Sequence, residues 1–356
     1  MPVNPFAYTG FPGRVVFGRG ALAQLPQELR RLGAERAIVL STPEQRATAE
    51  QVAKSLGPRA AGVYARAAMH VPLEVAQGAR EFAASAHADA CVAVGGGSTI
   101  GLGKAIALTS GLPIVAVPTT FAGSEMTAIY GITEAGVKKT GRDLRVLPRT
   151  VLYDPELLAT LPVSIAATSG MNAIAHCVEA LYAVDANPIV SMIAEEGMRA
   201  IAAGLPAVVS DPTDIDARGD VLYGAWLAGT ALNGVSMAIH HKLCHTLGGS
   251  FDLPHAATHT VILPYATAYN RAAAPDAMAR IRRALGRFDS GDAAGGLQAL
   301  SRATGAPGSL REIGMPAEGL DRAADLAVQS PYDNPRPIER AAIRDLLQRA
   351  FDGADL

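Results

Sequence analysis

The chain has 356 residues, 49% hydrophobic and 18% charged, with a formal net charge of -2; that length supports two domains with separate cores, and the balance is that of an ordinary globular protein. No basic excess exists to neutralise a phosphate backbone, which excludes nucleic acid as a partner. Three scattered cysteines, Cys91, Cys177 and Cys244, with no CxxC pair, exclude a disulfide framework and read as small buried hydrophobes.

The opening MPVNPFAYTG has neither the charged nor the apolar region of a secretory signal, so a cytoplasmic protein is expected. Arg14 to Phe17 reads as a first strand, followed by Gly18-Arg19-Gly20 and a helix over Ala21 to Leu32. Ala37 to Leu40 is a buried strand opening onto Ser41-Thr42-Pro43-Glu44, where Ser41 or Thr42 could cap the next helix. A third strand spans Ala61 to Tyr64. A fourth, Ala90 to Val94, ends in Gly95-Gly96-Gly97-Ser98, and a fifth, Ile114 to Val117, ends in Pro118-Thr119-Thr120. Short apolar strands alternating with helices predict a mostly parallel sheet covered on both faces, an α/β domain over residues 1–155.

After Asp154-Pro155 the pattern changes. Pro162-Val163-Ser164 opens a helix, and helical periodicity then runs to Leu356 with Gly and Pro breaks near 204–206, 248–254 and 304–315. Residues 156–356 are expected to form an all-α domain. The uncharged stretch Val221 to Ile239 has the length of a membrane span, but Thr230, Asn233, Ser236 and three glycines interrupt it. A helix buried inside a bundle is the expectation, with no membrane contact.

Two stretches carry chemistry. In GGGSTIGLGKAIAL, from Gly95, a strand runs into three glycines and a helix begins at Ser98-Thr99, which lets backbone N–H groups approach a pyrophosphate. It is neither a GxGxxG fingerprint at the first strand nor a Walker loop, because Lys104 lies too far along the helix. Pro118-Thr119-Thr120-Phe121-Ala122-Gly123-Ser124-Glu125 adds hydroxyls at the end of the next strand, where open α/β sheets bind ligands. A dinucleotide is therefore expected on Gly95, Gly96, Gly97 and Ser98, with Thr119, Thr120 and Ser124 at its nicotinamide half and Ser41 and Thr42 near adenosine. Glu44 lies close enough to Thr42 that NADH and NADPH both remain open.

The second stretch is IHHKLCHTLGGSFDLPHAATH, from Ile239, which holds five of the eight histidines. His241 and His245 are four apart on an expected helix, so both rings project from one face; Gly248-Gly249 is expected to end it. Pro254 would start the next helix, with His255 in its first turn. Upstream, Asn172 and His176 repeat the four-residue spacing. Metal site, substrate donors and packing all remain open for this group. His240 and His259 carry no such spacing argument and read as structural.

These motifs, in order, are similar to those of the iron-containing alcohol dehydrogenase superfamily over essentially the whole chain. Within it, PTTFAGSEMT, VKKTGRDLRVLPRTVLYDP and the histidine-rich segment most resemble the maleylacetate reductases. The resemblance implies a dinucleotide-binding α/β domain, a helical domain and an active site in the cleft between them, with Lys138 of VKKTGR joining the cofactor-binding set. Metal-dependent members hold Fe(II) or Zn(II) through an Asp, a His four residues on and two further His, positions matched by Asn172, His176, His241 and His255. A carboxamide at the first position removes the only anionic ligand, so no metal is expected; a residual ion would rest on His176, His241 and His255.

The implied reaction is NAD(P)H-dependent reduction of the conjugated C=C of maleylacetate to 3-oxoadipate, in bacterial breakdown of aromatic compounds. A dianionic substrate would be repelled by Asp and tolerated by Asn172. His241 and His245 are expected to supply the proton, with His176 and His255 as donors to substrate oxygens. Tyr332-Asp333-Asn334-Pro335-Arg336 resembles a segment that family members carry near the cleft, which makes Tyr332 and Arg336 candidates for the substrate carboxylates. A metal-dependent alcohol dehydrogenase, a dehydroquinate-synthase-like lyase that recycles NAD, and a dinucleotide sensor are the competing readings. A symmetric homodimer is the default assembly.

Overall fold

The computed structural model describes residues 6, 8–10, 13–135, 137–329 and 331–356. They form two units, divided between Leu161 and Pro162, and residues 6 and 8–10 belong with the second. Pro155–Leu158 forms a 3-10 turn that stays with the first unit: Leu157 packs on the sheet core, and the Asp154 carboxylate accepts from Gly20 N and Leu22 N.

The first unit runs β1 (Arg14–Phe17), α1 (Leu25–Arg31), β2 (Ala37–Leu40), α2 (Arg46–Leu56), β3 (Ala60–Tyr64), α3 (Leu73–Ser85), β4 (Ala90–Gly95), α4 (Gly97–Ser110), β5 (Ile114–Pro118), β6 (Ile129–Glu134), β7 (Val137–Arg142) and β8 (Thr150–Tyr153). Six strands form a parallel sheet in the order β1-β8-β5-β4-β2-β3. β2, β4 and β5 are buried along their whole length, as unbroken aliphatic runs require when helices cover both faces. Alternation along each strand splits the core: Val39, Val92 and Val115 face Leu25, Leu29, Val52 and Leu56 of α1 and α2, while Ile38, Leu40 and Cys91 face Ala76, Ala79, Leu102 and Ile106 of α3 and α4.

Three strands escape the sequence pattern. β8 is four residues inside VLPRTVLYDP, yet it joins β1 to β5. β6 and β7 form a separate antiparallel hairpin whose glycines, threonines and lysines give little strand signal. Ser41 and Thr42 do not cap α2, as expected from sequence. A turn through Pro43 and Glu44 delays the helix, so Gln45 stands at its N-cap without a side-chain bond to the helix backbone, and the Thr42 hydroxyl instead bonds the Glu44 carboxylate, holding it below its usual range.

The second unit is helical: α5 (Val163–Tyr182), α6 (Pro188–Ser210), α7 (Ile215–Gly234), α8 (Ile239–Phe251), α9 (His255–Asn270), α10 (Pro275–Leu285), α11 (Ala293–Ala303), α12 (Leu320–Val328) and α13 (Arg340–Asp352). One expected break is absent, and another falls a few residues later than Gly248-Gly249. α6 runs straight through Gly204-Leu205-Pro206, because a Cβ on Gly204 would lie 3.0 Å from Val221 Cγ2 and 3.2 Å from Ala217 O on α7; glycine serves close helix packing there. α8 passes Gly248-Gly249 and ends at Asp252, which takes the left-handed conformation at φ 53. The uncharged stretch Val221 to Ile239 is two elements, the buried end of α7 and the start of α8, and among the described residues no helix is long and apolar enough to cross a membrane.

Candidate active site

In the first unit, connections leave β2 and β4 in opposite directions, so the loops after them flank the switch point where open α/β sheets take ligands. Gly95 sits at φ +155, and a Cβ there would strike Thr99 and lie 2.9 Å from Gln45 Oε1. A Cβ on Gly96 would lie 2.9 Å from Thr120 Cγ2 and Oγ1, whereas one on Gly97 would meet nothing within 4 Å. Gly97 is exposed and is the first residue of α4, whose opening N–H groups have no acceptor within the helix. The loop thus presents an open helix N-terminus suited to a phosphate oxygen.

The surrounding residues divide by accessibility. Ser98, Thr120, Ser124 and Thr42 are half-buried, whereas Ser41 and Thr119 are buried. Thr119 Oγ1 accepts from Gln45 Nε2 at 2.8 Å, tying the loop after β2 to the loop after β5. Gln45 was not singled out in the sequence. Nor was the role of Lys104: its fully buried ammonium donates to Ser124 O at 2.7 Å, Ile129 O at 2.7 Å and Thr127 Oγ1 at 2.9 Å, with Ser124 Oγ at 3.2 Å. It staples the loop after β5 rather than reaching a phosphate, and burial brings its pKa down to about 7. A lone Lys in an apolar helix was the available signal. Lys138 is exposed on β7, opposite Thr133.

In the second unit, Asn172, His176 and Glu179 lie at i, i+4 and i+7 on one face of α5, all buried. His176 Nδ1 and His241 Nε2 are 2.9 Å apart. His241 Nδ1 in turn donates to Glu179 Oε2 at 2.7 Å. The same carboxylate accepts from Ala238 N at 2.9 Å and His240 N at 2.7 Å, so it closes the N-terminus of α8, where the helix dipole favours an anion. Glu179 carries the site's charge, and its spacing three residues after His176 could have revealed it.

The remaining histidines complete one cluster. The His259 ring centroid lies 4.2 Å from His255, 4.9 Å from His240 and 5.0 Å from His241, and the His245 ring lies 6.2 Å from His241. His240 is structural, with Nε2 2.9 Å from the His259 carbonyl, where an N–H donates and ties α8 to α9. His259 is not the bland residue expected: it is fully buried, and neither ring nitrogen has a hydrogen-bond partner. His255 and His259 share the four-residue spacing noted for His241 and His245, and that signal was overlooked. Asn172 Oδ1 is likewise buried and unpartnered. Each such group costs about 1–3 kcal/mol, a cost typical of a site shaped for a ligand.

Burial, reinforced by neighbouring imidazoles, pushes His240 and His241 down to about 3 and His259 well below its ordinary value. For His241 this burial works against the partly protonated form expected of a proton donor. His245 is exposed. His176 turns Nδ1 to His241, so that nitrogen is engaged within the protein rather than with a substrate oxygen.

At the family's metal positions, His176 Nδ1 and His241 Nε2 stand 2.9 Å apart, at hydrogen-bond distance. Asn172 contributes a neutral amide, and Glu179 is committed to His241 and the α8 backbone.

The turn at 332–336 is clamped to the end of α9. Asn334 Nδ2 donates to Asn270 Oδ1 at 2.7 Å, and Asn270 Nδ2 returns a bond to Asn334 Oδ1 at 3.0 Å. Arg336 is exposed, with its guanidinium 4.2 Å from the Tyr269 ring centroid. The Tyr332 hydroxyl is buried without a partner, and Lys242 Nζ lies 5.7 Å from the Tyr332 ring centroid. Lys242, beside His241, is a cation the sequence reading passed over.

A parallel sheet with an open, glycine-rich helix N-terminus, followed by a helical unit carrying clustered histidines, is the arrangement of a nicotinamide-dependent oxidoreductase. A family model for iron-containing alcohol dehydrogenases matches residues 12–155, and one for the C-terminal part of that family matches residues 166–351; the chain belongs to this family. It is 59% identical over 351 residues to maleylacetate reductase of Burkholderia cepacia, covering 99% of each chain. A crystal structure of maleylacetate reductase from Agrobacterium tumefaciens superposes with a TM-score of 0.95 at 54% identity, covering 99% of this chain and 100% of that one. A putative alcohol dehydrogenase from Ralstonia eutropha gives 0.98 at 62% identity, covering 99% of each.

Proposed function

We propose that the chain reduces the conjugated double bond of maleylacetate, giving 3-oxoadipate, with NADH or NADPH and without a bound metal. The observation that carries this reading is the site's charge pattern: Asn172 stands at the family's carboxylate position, and the one buried carboxylate beside it, Glu179, is consumed by its own hydrogen bonds. A dianion meets neutral imidazoles there. Gly95, Gly96, Gly97 and Ser98 would hold the cofactor pyrophosphate, and the nicotinamide supplies a hydride when bound. As hydride reaches the alkene carbon β to the ketone, the electron pair moves onto the ketone oxygen. An imidazole N–H of the cluster stabilises that enolate, and His245 gives the α carbon its proton.

Support also comes from the relatives at 53–59% identity, all maleylacetate reductases. The reading places the enzyme in the cytoplasm as a homodimer. NADH oxidation with freshly prepared maleylacetate, with and without a strong chelator, tests it: stoichiometric 3-oxoadipate, unaffected by chelator, is the expected result. Loss of activity restored by iron or zinc would assign a metal-dependent dehydrogenase instead, and product without net NADH consumption a lyase. Asn172→Asp should increase divalent metal uptake, since a buried carboxylate without partners needs a counter-cation, and should depress turnover of the dianion.

Arg336→Ala is expected to raise the KM for maleylacetate about tenfold, the loss of roughly 1.4 kcal/mol, with the KM for NADH unchanged. The clamp through Asn270 and Asn334 should keep the turn folded. An unchanged KM for maleylacetate would remove Arg336 from the site.

A further inference from the structure

A buried carboxylate at the base of a histidine pair has consequences beyond capping a helix. Glu179 is wholly buried on α5 and receives four N–H groups, those of Ala238, His240 and His241 at the start of α8 and that of the His241 ring, together with the Tyr182 hydroxyl. An ionised carboxylate has no proton to give, so the hydrogen between it and His241 Nδ1 belongs to the ring. In a neutral imidazole that assigns the lone pair to His241 Nε2. His176 Nδ1, 2.9 Å away, must then carry the hydrogen of the second bond. One carboxylate thus dictates the tautomer of two histidines on different helices, in a chain from Glu179 through His241 to His176.

We propose that Glu179 is a positioning residue for the reduction, holding His241 as the Nδ1–H tautomer and, through it, orienting His176. The inference rests on the reading of the histidine cluster as the substrate site. The side chain makes no claim on substrate itself. It acts by fixing two rings at one orientation, as a carboxylate does for a histidine whose far nitrogen is at work. The bonds to α8 serve the same end, because the backbone that carries His241 is anchored to the same two oxygens.

The test uses full-length protein labelled with 15N-histidine. In the wild type, the His241 nitrogen shifts should report hydrogen at Nδ1 without any substrate present. In Glu179→Gln, whose amide puts N–H donors where an acceptor stood, the Nδ1–H form should lose its dominance. The kcat for maleylacetate reduction should fall about 10–100-fold, the range for loss of such a supporting partner, with the KM for NADH unchanged. Glu179→Asp, which keeps the charge, should recover part of the turnover.

An Nε2–H tautomer in the wild type would overturn the proposal, whether or not the variants fold. So would a Glu179→Gln enzyme with lowered Tm but wild-type kcat and tautomer well below that Tm, the signature of a helix cap alone. If the wild type fails to reduce maleylacetate while the tautomer result holds, the substrate assignment fails and what stands is the hold of Glu179 on the two rings.

Discussion

Replacing His245 by Ala is expected to lower kcat by about two to four orders of magnitude, the usual worth of a positioned acid, while leaving the KM for NADH and the melting temperature as they are. The group that protonates the α carbon must be recharged after every turnover, and recharging requires access to water. His241 and His259 are buried, and burial opposes their protonated forms; His176 is buried too, with Nδ1 turned to His241. His245 is exposed on the same face of α8 as His241, with its ring centroid 6.2 Å away. Because the side chain is exposed, its removal should change stability by no more than about 0.5 kcal/mol, so a loss of turnover would be chemical in origin. His241→Ala is a poorer experiment, since it strands the buried Glu179 carboxylate and damages the fold. Near-normal turnover in His245→Ala would assign the proton to another group.

Much of this was legible in the chain. Aliphatic runs at β2, β4 and β5 are strong signals because burial on both faces leaves no room for a polar residue, and the glycines after β4 declare a backbone that something must approach. The hairpin of β6 and β7 hides because β7 reads VKKTGR and β6 is broken by Gly131, so neither shows a clean alternation, although Ile132 of β6 packs against the sheet core. Gly204-Leu205-Pro206 misled for the opposite reason: glycine and proline commonly stop helices, yet α7 packs so closely that Gly204 is needed inside one.

At the site, residue types were readable and their division of labour was not. His240 and His241 are adjacent in sequence and both buried, but one ties α8 to the His259 carbonyl while the other bonds to Glu179. Glu179 itself looked like any charge on a helix, and only the way α8 starts above α5 reveals that it closes that helix.

Gly97→Ala is expected to raise the KM for NADH by one to two orders of magnitude, about 1.4–2.8 kcal/mol of lost binding, in a protein at least as stable as the wild type. The three neighbouring glycines are not equivalent tests. Gly95 needs its positive φ, and a side chain there meets Thr99 and Gln45. At Gly96, any Cβ pushes on Thr120 at 2.9 Å, so a defect in Gly96→Val would report a rearranged loop as readily as a blocked cofactor. Gly97 alone among them faces open space, so its methyl group costs the folded protein nothing. Restricting the unfolded chain stabilises by about 0.4–1 kcal/mol where the native backbone accepts alanine. What the methyl obstructs is the approach of a phosphate oxygen to the first N–H groups of α4. A higher Tm together with a higher KM would therefore place the pyrophosphate on this loop, and an unchanged KM would take the cofactor away from it.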